Sequence, residues 1–177
     1  GDHFEEPVLL IKTAWGGKSI YKDFRPPSAG GETGEYYQRM LMEVDEALKN
    51  YQEEFPVLKG MKPKWGGFIW FQGWNDMFNQ DALAQYEENL VHLIKDLRTR
   101  LNQPNLPVVV GELGNMGEDA GTNMKFIREA QRKACQRKEW KGRVSFVKTT
   151  NFARPKEESP NVGHGHHWFG NAESYFL

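Results

Sequence analysis

Cysteine is nearly absent from this chain. Its 177 residues hold a single one, Cys135, so no internal disulfide can form. Cys135 lies in a charged, helix-patterned stretch and reads as a buried thiol rather than a nucleophile. An excess of charge is missing too. The 23 Lys and Arg offset 24 Asp and Glu, for a net charge of −1, which argues against nucleic acid or an anionic membrane held by bulk electrostatics. No apolar run approaches the roughly 18 residues of a membrane span. Internal repeats and low-complexity tracts are lacking. The chain opens on Gly1-Asp2-His3 with no recognisable signal peptide.

What the chain has in quantity is aromatic residues: six Trp, six Tyr and eleven Phe. Some must fill a core, and a length of 177 residues is enough to build one as a single domain, taken here as 1–177. Tryptophans beside loops also suit the apolar faces of sugars. Pro7–Ala14 is a short apolar run expected to be a buried strand, and the Pro/Gly/Ser-rich stretch Asp23–Gly34 a long loop. Glu35–Tyr51 carries a helical stripe of Tyr37, Leu41, Val44, Leu48 and Tyr51. Gly67–Gln72 and Val108–Gly111 read as strands. Asp81–Leu101 between them is the clearest helix, with Leu83, Tyr86, Leu90, Leu93, Leu97 and Leu101 on one face. Asn123–Trp140 is expected as a basic amphipathic helix with a solvated charged face, and Arg143–Thr149 as a further strand. Strands alternating with long helices imply a parallel sheet. The expected architecture is a three-layer α/β/α sandwich, flavodoxin-like. Its first strand follows the terminus directly and its last helix stops on apolar residues, so it is expected to lack its first βα unit and to be incomplete at both ends.

Ligands of such folds bind outside the carboxyl ends of the strands. Three segments fall there: Trp15-Gly16-Gly17-Lys18-Ser19, Gln72-Gly73-Trp74-Asn75-Asp76, and Gly163-His164-Gly165-His166-His167-Trp168. A strand-end glycine admits a backbone N–H to a substrate, an asparagine adds a second donor, and a histidine can act as general base. Two oxyanion donors and a base are equipment for acyl transfer.

The order Gly-Gly-x-Ser, Gln-Gly-x-Asn-Asp, then His-Trp before a terminal helix resembles the SGNH hydrolase superfamily. More narrowly, it is similar to the sialate O-acetylesterase-type domain and carbohydrate esterase family six. The stretches PVLLIKTAWGGKSIYKDFRPP, GGFIWFQGWNDM, YEENLVHLIKDLR, LPVVVGELG and GHHWFGNAESYFL carry the resemblance over nearly the whole chain. It implies a carbohydrate O-acetylesterase with serine-hydrolase chemistry, an acetylated carbohydrate as partner, no cofactor, and an extracellular or periplasmic site of action. It implies that Gly17 N–H and Asn75 bind the oxyanion, that His167 is the base with His166 as second choice, and that Gln72 and Trp74 sit at the rim. Trp15 and Gly16 flank the same site, and Trp15 and Trp74 serve equally well as sugar platforms or as packing. No Gly-x-Ser-Asn-like block follows the first strand, which places the nucleophile upstream of Gly1. His164 stands where the family often has an orienting Asp, leaving Glu112, Glu157 and Glu158 as candidates. Ser19 reads as a turn serine and His92 as structural or surface. The histidines at 164, 166 and 167 lack a spaced carboxylate or cysteine, so no metal is expected. The competing reading is a non-catalytic carbohydrate-binding or accessory domain using Trp15, Trp74 and Trp168 as stacking surfaces.

Overall fold

The computed structural model describes residue 3 and residues 5–153. The elements run α1 (Glu35–Glu54), β1 (Phe68–Trp70), α2 (Gln80–Arg100), β2 (Val108–Gly111), α3 (Thr122–Cys135) and β3 (Val144–Val147), with short 3-10 turns between them. The strands form one sheet in the order β1-β2-β3, and both pairings are parallel. Phe68, Ile69 and Trp70 stand opposite Val108, Val109 and Val110, and Val108 to Gly111 stand opposite Val144 to Val147. Each crossover contains a helix, α2 and then α3, as parallel neighbours require. The molecule is of the α/β class with a parallel sheet, as the alternation implied.

The long helix α2 forms where its stripe predicts. Asn79 caps it, its side-chain oxygen accepting from Ala82 N at 2.9 Å. Asp81 lies in the first turn and Arg98 and Arg100 in the last, matching the helix dipole. Leu90, Leu93 and Ile94 are completely buried. Each contributes about 1.5–3 kcal/mol through removal from water. Arg98 turns inward, and its guanidinium donates twice to Leu106 O, at 3.2 and 2.8 Å, pinning the entry to β2.

The segment Pro7–Ala14 is not a strand. Among the described residues, pairing joins only β1 to β2 and β2 to β3. Val8 and Leu10 are 49% and 81% exposed. Exposure does alternate along residues 9–15, so the run presents one half-buried edge. The run stays outside the sheet: among the described residues β1 pairs with β2 alone, and its other edge carries no ladder. The basic helix also stops short of Trp140. α3 ends at Cys135, and Trp140 folds back in a separate turn, where its indole N–H donates to Ala134 O at 2.6 Å. The terminal helix expected after residue 165 lies outside the described residues.

Candidate active site

The C-terminal ends of β1 and β2 and the turn at residues 16–24 meet at one edge of the sheet. Beyond β1 the chain makes a 3-10 turn, Asn75–Phe78. The Asn75 side-chain amide donates to the Gly17 carbonyl at 2.6 Å, across 58 residues of sequence. An amide nitrogen carries two hydrogens, so this bond leaves the second for another acceptor. Gly17 has φ +71°, a left-handed conformation that strains any residue with a Cβ. Gly16 and Gly17 are exposed, and a Cβ on Gly16 would meet open space.

Asp76 lies beneath this pair and is completely buried. Its carboxylate accepts from Ile20 N and Tyr21 N, each at 3.0 Å, and from the Gln72 amide at 2.6 Å. Burial pushes the Asp76 carboxyl above its ordinary range, while Gln72 and the two backbone N–H groups pull it back. The same Gln72 amide donates to Lys18 O at 2.9 Å. Gln72 therefore faces the turn, joining it to the strand end. Tyr86 of α2 donates its hydroxyl to Gln72 O at 2.6 Å, and Gln131 of α3 donates there at 2.9 Å. Burial raises the Tyr86 hydroxyl pKa, so it stays a neutral donor. Gln131 also accepts from Leu113 N at 2.9 Å, which ties the end of β2 into the network.

The first turn has a second carboxylate, Asp23. It accepts from Ser19 N at 2.9 Å and from Ser19 Oγ at 3.0 Å. Burial raises Asp23, but those bonds and Lys18, 3.5 Å away, outweigh it and leave its pKa lowered. Ser19 Oγ also accepts from Lys22 N at 3.1 Å, so this hydroxyl closes the turn. Trp15 is half-buried, 5.2 Å from Tyr36 in a T-shaped pair and under the Arg39 guanidinium at 5.0 Å. Trp74 is half-buried with Phe78 6.1 Å away. Gly73 is buried, and a Cβ on it would lie 2.8 Å from Ile127 Cγ2. That glycine allows α3 to approach the strand end.

Glu112, just beyond β2, is 6% exposed. One of its oxygens accepts from Thr149 N at 2.9 Å, from Thr150 N at 2.8 Å and from the Thr150 hydroxyl. It latches β2 to the end of β3. A Ser–His contact does occur elsewhere: Ser28 Oγ lies 2.7 Å from His92 Nδ1, and Ser28 N donates to Asp96 at 2.9 Å. Asp96 engages the serine backbone there, so the three do not form a relay through the imidazole. His164, His166, His167, Trp168, Glu157 and Glu158 lie outside the described residues. Among the described residues, no group of three metal-ligating side chains occurs, and no helix is long and apolar enough to cross a membrane.

Sequence pattern assigns no individual functional role to Asp76, Tyr86 or Gln131. Gln131 did carry a signal. It sits four residues after Ile127 and three before Ala134, a polar residue on the buried face of a helix.

A parallel α/β domain with an amide and a glycine turn at the strand ends has the geometry at which ligands of open α/β sheets bind. The comparisons narrow it. Residues 2–171 match the family described as carbohydrate esterase, sialic acid-specific acetylesterase, and the chain belongs to that family. A probable carbohydrate esterase of Arabidopsis thaliana is 30% identical over 125 residues, covering 70% of this chain and 39% of that protein. The X-ray structure of that same Arabidopsis thaliana protein superposes with a TM-score of 0.59 at 20% identity, over 91% of this chain and 56% of the solved one. By either comparison the chain spans less than two thirds of that protein's length.

Proposed function

We propose that this chain carries the oxyanion-binding half of a serine-type carbohydrate esterase that removes acetyl groups from sugars. One observation supports the reading most: the fold brings Asn75 and Gly17, 58 residues apart, into contact at the carboxyl edge of the sheet. Family membership supplies the substrate class. In this reading a serine attacks the acetyl carbonyl, and its proton passes to His167. The carbonyl oxygen becomes negative and is met by the Gly17 N–H and the second hydrogen of the Asn75 amide. Collapse expels the sugar hydroxyl, which recovers the proton from His167. Water then attacks the acetyl-enzyme with the same histidine as base, releasing acetate. The nucleophile precedes Gly1, as the resemblance implies; the Ser19 hydroxyl is engaged in its turn by Asp23 and Lys22. Such an enzyme would meet polysaccharide or glycoconjugate outside the cytoplasm.

The accessory-domain reading draws less support. One face of Trp15 is covered by Arg39 and the ring packs against Tyr36, which removes one of its stacking surfaces. The test uses the protein extended upstream by one βα unit. A fluorophosphonate should label a serine there and not Ser19. Asn75→Ala should lower kcat on an acetylated sugar by about 10²–10³-fold with folding intact. A folded, fully active Asn75→Ala enzyme removes Asn75 from the mechanism. Sugar binding without labelling or turnover in the extended protein would favour the accessory domain.

A further inference from the structure

We propose that Asp76 is the positioning residue of this site, its buried carboxylate holding the turn that bears Gly17 at a fixed distance from Asn75. The inference rests on the oxyanion reading above. Asp76 immediately follows Asn75, and its two oxygens accept from Ile20 N and Tyr21 N, three and four residues beyond Gly17. Gln72 spans the remaining gap, donating to both Asp76 and Lys18 O. Residues 18, 20 and 21 are therefore all fixed to the β1 strand end through one carboxylate and one amide.

A buried carboxylate that served only to balance charge would face a cation. Among the described residues, no lysine or arginine forms an ion pair with Asp76. Its partners are backbone N–H groups of the very turn that carries the glycine. A carboxylate accepts on both oxygens, whereas an asparagine accepts on one and presents N–H on the other. Asp76→Asn therefore keeps the shape but sets an N–H against Ile20 N or Tyr21 N, so the turn must move. An oxyanion donor displaced by about 1 Å costs on the order of 10²-fold in rate.

The test reads geometry first and turnover second. In isotopically labelled protein, the Asn75 side-chain amide should show magnetisation transfer to the Gly17 α-protons. Asp76→Asn should abolish that contact and speed exchange of the Ile20 and Tyr21 amides by roughly tenfold or more. Asp23→Asn, which alters the other carboxylate of the same turn, should leave the contact in place. Persistence of the contact in Asp76→Asn overturns the proposal. Should that variant fail to fold, replacing the Tyr21 amide N–H by an ester oxygen removes one clamp bond with Asp76 untouched; an unchanged Asn75–Gly17 contact there also overturns it. In the upstream-extended enzyme, Asp76→Asn should lower kcat on p-nitrophenyl acetate on the order of 10²-fold with KM within about twofold. It should add little to Asn75→Ala, whereas additive losses would mean that Asp76 acts elsewhere. A wild-type enzyme without any turnover defeats the esterase reading alone, because the amide contacts still decide the positioning.

Discussion

Glu112→Ala should unfold the strand-end latch without touching the oxyanion pair. Glu112 serves two backbone N–H groups and one hydroxyl, all from Thr149 and Thr150, which are themselves 6% and 5% exposed. A hydrogen bond to a charged acceptor is worth about 1.5–3 kcal/mol. Three bonds to one oxygen do not add in full. A loss of about 3–5 kcal/mol follows. For a chain of this length each kcal/mol moves Tm by roughly 2–4 °C, so Tm should fall by about 10 °C. Glu112→Gln retains one acceptor and should lose about half as much. Thermal unfolding followed by near-ultraviolet circular dichroism, sensitive to Trp140 and Trp70, reads both variants. A Glu112→Ala protein within about 2 °C of wild type would refute the latch. A stable Glu112→Ala protein with collapsed acetyl-ester turnover would restore Glu112 as the acid that orients the histidine.

Two further outcomes follow from the packing. Gly73→Ala places a methyl 2.8 Å from Ile127 Cγ2, and should cost about 1–3 kcal/mol by overpacking; combined with Ile127→Ala the losses should be less than additive in denaturant titrations, and full additivity would show that the two do not meet. Burial pushes the Cys135 thiol up to about 12, so iodoacetamide should modify it near neutral pH only when the protein is unfolded; rapid alkylation of native protein, read by intact mass, would contradict its burial.

Much of this architecture was legible where one physical signal dominated. Val108–Gly111 is continuous and β-branched, and it forms β2 with the expected bounds. The apolar face of α2 repeats over 21 residues, long enough for periodicity to outweigh local exceptions. Pro7–Ala14 misled because apolar content announces burial but not a pairing partner. Asn123–Trp140 overshot because Trp140 continues the apolar pattern from a separate turn. At the candidate site, the meeting of the Gly17 and Asn75 segments was legible because both were expected at strand ends, while the contact itself joins residues 58 apart that no local pattern links. Gln72 illustrates the opposite difficulty. A polar side chain at a strand end reads as facing substrate, yet it bridges Lys18 O and Asp76.

Hydrogen-bond chemistry explains how such residues divide. The strands are only three, four and four residues long, so the ladder ends early and the turns beyond it expose unpaired N–H groups. Carboxylates only accept, and they settle where those donors are. Asp23 takes the N–H of Ser19, Asp76 those of Ile20 and Tyr21, and Glu112 those of Thr149 and Thr150. Each acid is thereby drawn into the turns. What the same edge leaves toward solvent is the exposed glycine turn and the half-buried Asn75 amide, with a hydrogen to spare. In the proposed reading, the second hydrogen of that amide and the glycine turn beside it meet negative charge on a bound oxygen, the demand of ester hydrolysis. Among the described residues, the acids nearest the candidate site are thus all engaged by backbone N–H groups of the turns, the geometry on which the positioning role proposed for Asp76 rests.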